Sequence, residues 1–193
     1  LRSRGLGDVY KRQVHLHTKK VIYAYNKPIG QVCTSKDADP DSIFRYVEFP
    51  ERVNYVGRLD KDSTGLLLLT NDGDLANEIQ RSRNNHEKEY HVRVNTDITE
   101  DFIKKMSEGV EILDTVTKPC KVKKTGTRNF SIILTQGLNR QIRRMCDALH
   151  VRVVHLKRVR IMNIRLGSLR PGEFRTLTRG EEQELRRLVQ KRS

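Results

Sequence analysis

No apolar run in these 193 residues approaches the ~20 that a membrane-crossing helix needs, so no membrane partner is expected. The N-terminus lacks the continuous apolar stretch of a secretory signal, and export is not expected either. Cysteine is scarce: Cys33, Cys120 and Cys146 are odd in number, far apart and without metal-ligand spacing. They read as reduced thiols in a cytoplasmic protein. There is no glycine-rich phosphate loop and no ligand cluster, so neither a metal nor another cofactor is expected. Internal repeats and low-complexity linkers are also missing.

Positive charge is in excess. Lys and Arg number 38 against 24 acids, a net charge of +14. Such an excess favours a polyanionic partner, because each neutralised phosphate releases condensed counterions. A plain basic surface competes with that reading, since charge speaks to partners rather than to fold. Residues 1–13, LRSRGLGDVYKRQ, carry neither a strand nor a helix period, and DVYKRQ reads as a translated sequencing-library adaptor. They are set apart, and residues 14–193 read as one domain whose basic excess persists without them.

From Val21 onward the patterning is strong. VIYAYN reads as a strand, then a Lys-Pro-x-Gly turn at 27–30 and a second strand through QVCTS. Pro40 opens a short helix, PDSIFRYV, and Leu66–Leu69 is an apolar run wanted as a buried strand, closed by the turn signal Asn71–Gly73. DLANEIQRS makes a short helix. KEYHVRVN alternates, with Tyr90, Val92 and Val94 on one face and Glu89, His91 and Arg93 on the other. TEDFIKKMSEG is a helix capped by Thr99 and stopped at Gly109. Strands VEIL, KPCKVKK and FSIILTQ precede the helix GLNRQIRRMCDALH, whose Ile142, Met145, Cys146 and Leu149 recur at helical spacing. VRVVHLKRVRIMNIRL alternates as one or two strands, and Thr178 and Glu181 stand at capping-box spacing before a last helix. Strands dominate without a regular βαβα order, which predicts an α+β fold on a mixed, mainly antiparallel sheet flanked by helices.

Asp60 lies six residues before the apolar run, between Arg58 and Lys61, in a loop spelled R-L-D-K-D-S-T-G. A turn aspartate paired with a neighbouring arginine would explain it, and Asp62, Ser63 and Gly65 are turn formers. A catalytic carboxylate would instead need a cation from elsewhere to keep it an anionic nucleophile. On the helix after Asn139, Arg143 and Gln141 flank the apolar stripe, whereas Arg140 and Arg144 are expected to point away. Tyr90 shares a face with Val92 and Val94; core packing and an aromatic platform for a nucleobase both fit it.

GRLDKDSTGLLLLTNDGDL, HEKEYHVRV and GLNRQIRRMCDAL, in this order and spacing, resemble the three motifs of the RsuA/RluA-type pseudouridine synthases, and NKPIG resembles the Lys-Pro-x-Gly element of the same family. The likeness runs from about Val21 to Leu177, and RNNHEKEY and DTVTKPCKVKK are most similar to the F branch of the large-subunit rRNA enzymes. The resemblance implies the pseudouridine synthase fold and isomerisation of a uridine in 23S rRNA. Acting mainly on tRNA, or serving as a non-catalytic RNA-binding module, are the alternatives. It implies that Asp60 is the nucleophile, that Tyr90 stacks on the target base, that Arg143 pairs with Asp60 and that Arg58 helps to displace the base. It also implies that Gly57, Leu59 and Gly65 shape the loop. Lys61, Gly65, Lys88, Arg140, Gln141, Arg144, Lys157, Arg158 and Arg160 are expected to meet substrate or RNA. Of these, Arg140, Arg144, Lys157, Arg158 and Arg160 would contact phosphates without reading sequence. The small N-terminal S4-type RNA-binding domain usual in this branch is expected to be absent, and a monomer is expected.

Overall fold

The structure is a computed structural model that describes residues 19–81 and 85–190; the leader 1–13 lies outside the described residues. Strands β1 (Ile22–Lys27), β2 (Asn54–Val56) and β3 (Thr64–Thr70) surround a single-turn helix α1 (Ile43–Tyr46). Helix α2 (Gly73–Gln80), strand β4 (Lys88–Val94) and helix α3 (Glu100–Glu108) follow. Next come β5 (Glu111–Ile112), β6 (Thr115–Val116), β7 (Lys121–Gly126), β8 (Asn129–Leu134) and helix α4 (Gln141–Ala148). The chain ends in β9 (Val153–Ile161), β10 (Ile164–Arg165), β11 (Phe174–Thr176) and helix α5 (Arg179–Gln190).

The main sheet has nine strands, with the path β11-β1-β3-β9-β4-β8-β7, β10 on β9 and β2 on β3. Among its described pairings, β3–β9 is parallel and the rest are antiparallel. The expected α+β fold on a mixed, mainly antiparallel sheet is the one observed.

The Leu66–Leu69 run is fully buried because β3 is covered on both faces. Leu66 and Leu68 pack with Ile22, Leu75, Ile79 and Leu185, while Leu67 and Leu69 pack with Tyr23, Tyr25 and Ile43. Burying each leucine contributes about 1.5–3 kcal/mol, and two covered faces explain why the run is continuous rather than alternating. The β4–β8–β9 half differs. There one face packs on Phe102 and Met106 of α3 and Ile142 and Met145 of α4, whereas His91 and Arg93 stay exposed on the other.

Strand β3 is also where the sheet splits. β1 runs along one of its edges; the other is shared between β9, at Thr64 and Gly65, and β2, at Leu68 to Thr70. The β2–β3 connection, 57–63, emerges in the notch between β9 and β2. Gly65 makes the notch possible. Its φ is +109°, and a Cβ there would lie 2.2 Å from the carbonyl oxygen of Arg158.

The expected strand through QVCTS does not form. Val32 makes only an isolated bridge to Ser42, and its backbone is satisfied by the 39–43 turn, with Val32 N donating to Asp41 O at 2.8 Å and Ile43 N to Val32 O at 3.0 Å. The helix expected from Pro40 shrinks to one turn because its Ser42 cap sits two residues further on. β11, which pairs with the outer edge of β1, was not expected.

Candidate active site

The loop 57–63 opens on a cleft of about 570 Å³. Its floor is the core face of β4, β8 and β9, where Lys88, Tyr90, Leu134, Leu156 and Arg158 line it. Asp60 and Arg58 enter from the loop, Gln136 and Arg140 from the segment leading into α4, and Arg143 from α4 itself.

Arg140 is the first departure from the expected geometry. It is not a helical residue facing outward: it caps α4 with φ 48° and ψ 39°, a left-handed conformation that takes it off the helical wheel. Its guanidinium grips Asp62 through two bonds, 3.0 Å from Nη1 to Oδ1 and 2.8 Å from Nη2 to Oδ2, and Nη1 lies 3.5 Å from Asp60 Oδ2. Arg143 does reach into the cleft, but its Nη2 donates to Asp62 O at 2.9 Å and Ser63 Oγ at 3.3 Å. In this structure the cation beside Asp60 is therefore Arg140, and Arg143 braces the turn behind it. The hydrogen bonds from Arg140 hold the Asp62 carboxyl below its ordinary range, against burial, which pushes it up. The side chain of Asp60 remains 43% exposed at the rim. The turn that carries it is closed by Ser63 N donating to Asp60 O at 3.0 Å.

Tyr90 is half-buried on the cleft floor and packs against the core of this half. Its partner across the β4–β9 ladder is Arg158. Arg158, expected at a phosphate, is only 3% exposed. Its Nε donates to Leu66 O at 2.8 Å and its Nη1 to Arg58 O at 3.4 Å, while Nη2 is buried without a partner among the described residues. The surface role is thus corrected: Arg158 ties β9 to β3 and to the Arg58 turn. Arg160, also expected at a phosphate, is neutralised by Glu87 at 3.2 Å and Glu89 at 3.4 Å and donates to Met162 O.

The remaining expected residues divide. Arg58 is exposed at the cleft wall, and Lys88 is half-buried within the cleft, where burial first and Arg158 second push its ammonium down to about 8. Lys61 turns away, ion-paired with Asp41 at 2.8 Å. Gly65 is buried and belongs to the β3–β9 contact rather than to a substrate surface. Gln141 is 4% exposed; its Oε1 accepts from Leu138 N and its Nε2 donates to Gln136 Oε1, so it holds the loop before α4. Arg144 clamps Asn139 through two bonds. Lys157 faces the opposite side of the sheet, opposite His91.

Two residues belong to the site without having been singled out for it. Asp62 is the carboxylate that anchors both arginines. Lys27 is fully buried beneath the loop and donates to Ser63 O and Pro28 O, each at 2.8 Å. Burial pushes its ammonium down, with the opposing charges of Cys33, Asp62 and Asp60 acting the other way. Among the described residues no group of three or more His, Cys, Asp or Glu side chains is disposed to hold a metal ion, and no helix is long and apolar enough to cross a membrane.

A sequence model for RNA pseudouridylate synthase matches residues 21–148. The chain is 53% identical over 173 residues to the dual-specificity RNA pseudouridine synthase RluF of Escherichia coli (strain K12), covering 90% of this chain and 60% of that protein. It is 32% identical over 177 residues to the ribosomal large subunit pseudouridine synthase B of Bacillus subtilis (strain 168), covering 88% of this chain and 72% of that one. A crystal structure of a pseudouridylate synthase superposes with a TM-score of 0.80 at 32% identity, over 88% of this chain and 74% of the other. The chain thus spans 60% of the length of its RluF relative. The sequence model covers about two thirds of the chain, a relative 32% identical is covered over 72% of its length, and a solved pseudouridylate synthase shares the fold; the protein belongs to the RNA pseudouridylate synthase family.

Proposed function

We propose that this protein isomerises uridine to pseudouridine in RNA, with 23S rRNA as one substrate and tRNA as a second. One observation carries the proposal: Asp60, in the notch where the sheet splits, faces the same cleft as Tyr90, with arginines from α4 and its cap set around the loop. The dual-specificity name of the RluF relatives favours two RNA classes over 23S rRNA alone.

The target nucleotide leaves its stack at a cost of a few kcal/mol. Arg58, exposed at the cleft wall, is placed to fill the gap or hold the displaced base. The uracil ring lies on Tyr90, where stacking contributes about 1–3 kcal/mol. An oxygen of Asp60 bonds to the ribose C1′ or to the uracil C6, and Arg140 stabilises the carboxylate until it does. The C1′–N1 bond opens and the ring turns; as C5 bonds to C1′ the Asp60 oxygen leaves the carbon it had bonded, restoring the carboxylate, and the C5 proton is exchanged for one at N1. Reactant and product are isomers, so no co-reactant is consumed.

Incubating the full chain with an unmodified large-subunit rRNA fragment and, separately, with tRNA transcripts, and mapping pseudouridine at single nucleotides, tests the proposal. A discrete site in each RNA is expected. A site in one RNA only would reduce the assignment to that class, and binding without modification in both would favour a non-catalytic RNA-binding module.

A further inference from the structure

We propose that Lys88 and Arg158 form a charge-stabilising site on the cleft floor that takes up the negative charge of the uracil ring while it is detached from the ribose. The inference rests on the pseudouridine synthase reading above. Its starting point is a pair of cations that form no ion pair among the described residues. Lys88 and Tyr90 alternate onto the same face of β4, and Tyr90 stands opposite Arg158 on β9. The register shift between Glu89 and Tyr90 leaves Val159 as an inserted residue, and that insertion turns Arg158 toward the cleft beside Tyr90. Cross-strand neighbours have Cβ atoms about 4.5–5.5 Å apart and diagonal ones about 7–8 Å, within reach of long side chains. Arg158 is 3% exposed and pinned by Leu66 O and Arg58 O, yet its Nη2 is buried and has no partner among the described residues.

Of the carboxylates nearby, Asp60 enters the same cleft from the loop with Arg140 3.5 Å away, and the others are paired elsewhere. Glu87 and Glu89 hold Arg160, and Asp62 holds Arg140 and Arg143. Lys88 therefore feels burial and the like charge of Arg158, which together bring its ammonium down to about 8 and leave it largely protonated at neutral pH. Two like charges in a half-dry cleft are costly unless an anion joins them.

The isomerisation supplies such an anion. When C1′–N1 opens, the electron pair leaves with N1, and the ring becomes a uracil anion with its charge spread over N1, O2 and O4. The charge is discharged when C5 bonds to C1′, C5 loses its proton and N1 gains one. If Asp60 first adds to C6, the charge appears on O4 of the same ring. Fixed cations aimed at charge that exists only part-way through a reaction act on the rate rather than on the affinity. A ribose phosphate could occupy the same cations, but it would act on affinity and its salt dependence instead.

The test uses the full chain under single-turnover conditions on an unmodified large-subunit rRNA fragment, with Lys88→Met, Lys88→Gln and Lys88→Arg beside the wild type. Loss of one stabilising group of this kind lowers the rate by about 10²–10³-fold. Lys88→Met and Lys88→Gln should both fall by that factor at unchanged RNA affinity and unchanged salt slope, with thermal midpoints held or raised, and Lys88→Arg should recover part of the rate. Wild-type rates in both neutral variants overturn the proposal. So does recovery in Lys88→Gln alone, which would mean a hydrogen bond rather than charge. Weaker binding with a salt slope shallower by about 0.7–0.9 and an intact rate would assign Lys88 to a phosphate and also overturn it. An inactive wild type would instead strike the parent reading, and this inference with it.

Discussion

Replacing Gly65 by alanine tests whether the notch around Asp60 depends on the approach of β3 to β9. At φ +109° any L-residue is strained, and the left-handed side of the map costs about 1–2 kcal/mol. The new Cβ would also sit 2.2 Å from Arg158 O and 2.7 Å from Arg158 N. Both are backbone atoms, so no rotamer relieves the contact and the short parallel ladder must open. Losing about two hydrogen bonds there costs roughly another 2 kcal/mol, a total of about 3–4 kcal/mol. Gly57 is the control: its φ is +72° but nothing lies within 4 Å of its Cβ position, so Gly57→Ala should cost only the strain. At about 2–4 °C per kcal/mol for a chain of this size, Gly57→Ala should lower the thermal midpoint by roughly 2–8 °C and Gly65→Ala by roughly 6–16 °C. Calorimetry of the two variants beside the wild type measures both. Equal shifts would refute the close-approach argument and leave backbone strain as the whole effect.

Tyr90→Phe should retain most of the isomerisation rate and Tyr90→Ala should lose the stacking, about 1–3 kcal/mol or roughly 5- to 150-fold; equal losses in rate assays would point to the hydroxyl instead. Glu181 closes the cap of α5, accepting from Thr178 N at 2.9 Å and pairing with Arg175 at 2.7 Å, and Arg175 above all holds its carboxyl down from 4.5 to about 2. A depressed carboxyl stabilises fully above its unfolded value and is lost as the pH falls through the folded one. The stability gap between wild type and Glu181→Gln should therefore be full above pH 4.5 and shrink toward pH 2 in denaturant titrations; a gap constant over that range would contradict the assignment.

The strands and helices that carry the core were legible because their signals are local. Thr99 and Gly109 bound α3 as expected, and the Leu66–Leu69 run is the buried strand it was expected to be. The site was legible in its members more than in its pairings. Arg140 departs from the outward position expected of it because it precedes the helix, on a left-handed cap where the helical wheel does not hold. Arg160 does face outward but is held by Glu87 and Glu89, whereas Arg158 departs from expectation for a different reason. β9 carries two inserted residues, Val154 and Val159, and each shifts the alternation, so that Val153, Leu156, Arg158 and Ile161 face inward while His155, Lys157 and Arg160 face outward. A bulge follows from the partner strand, which periodicity within β9 does not contain. Lys27 is of the same kind, since a lysine enclosed by the carbonyls of Pro28 and Ser63 has no local signature; Asp62 was read only as a turn former because its arginine partners lie almost eighty residues on.

The measurement that bears most directly on the central claim compares wild type with Asp60→Asn on the same unmodified large-subunit rRNA fragment, reading pseudouridine at single nucleotides together with RNA affinity. The nucleophile assignment predicts a discrete wild-type site that vanishes in the variant at nearly unchanged affinity. Modification at that site by Asp60→Asn at the wild-type rate would contradict it.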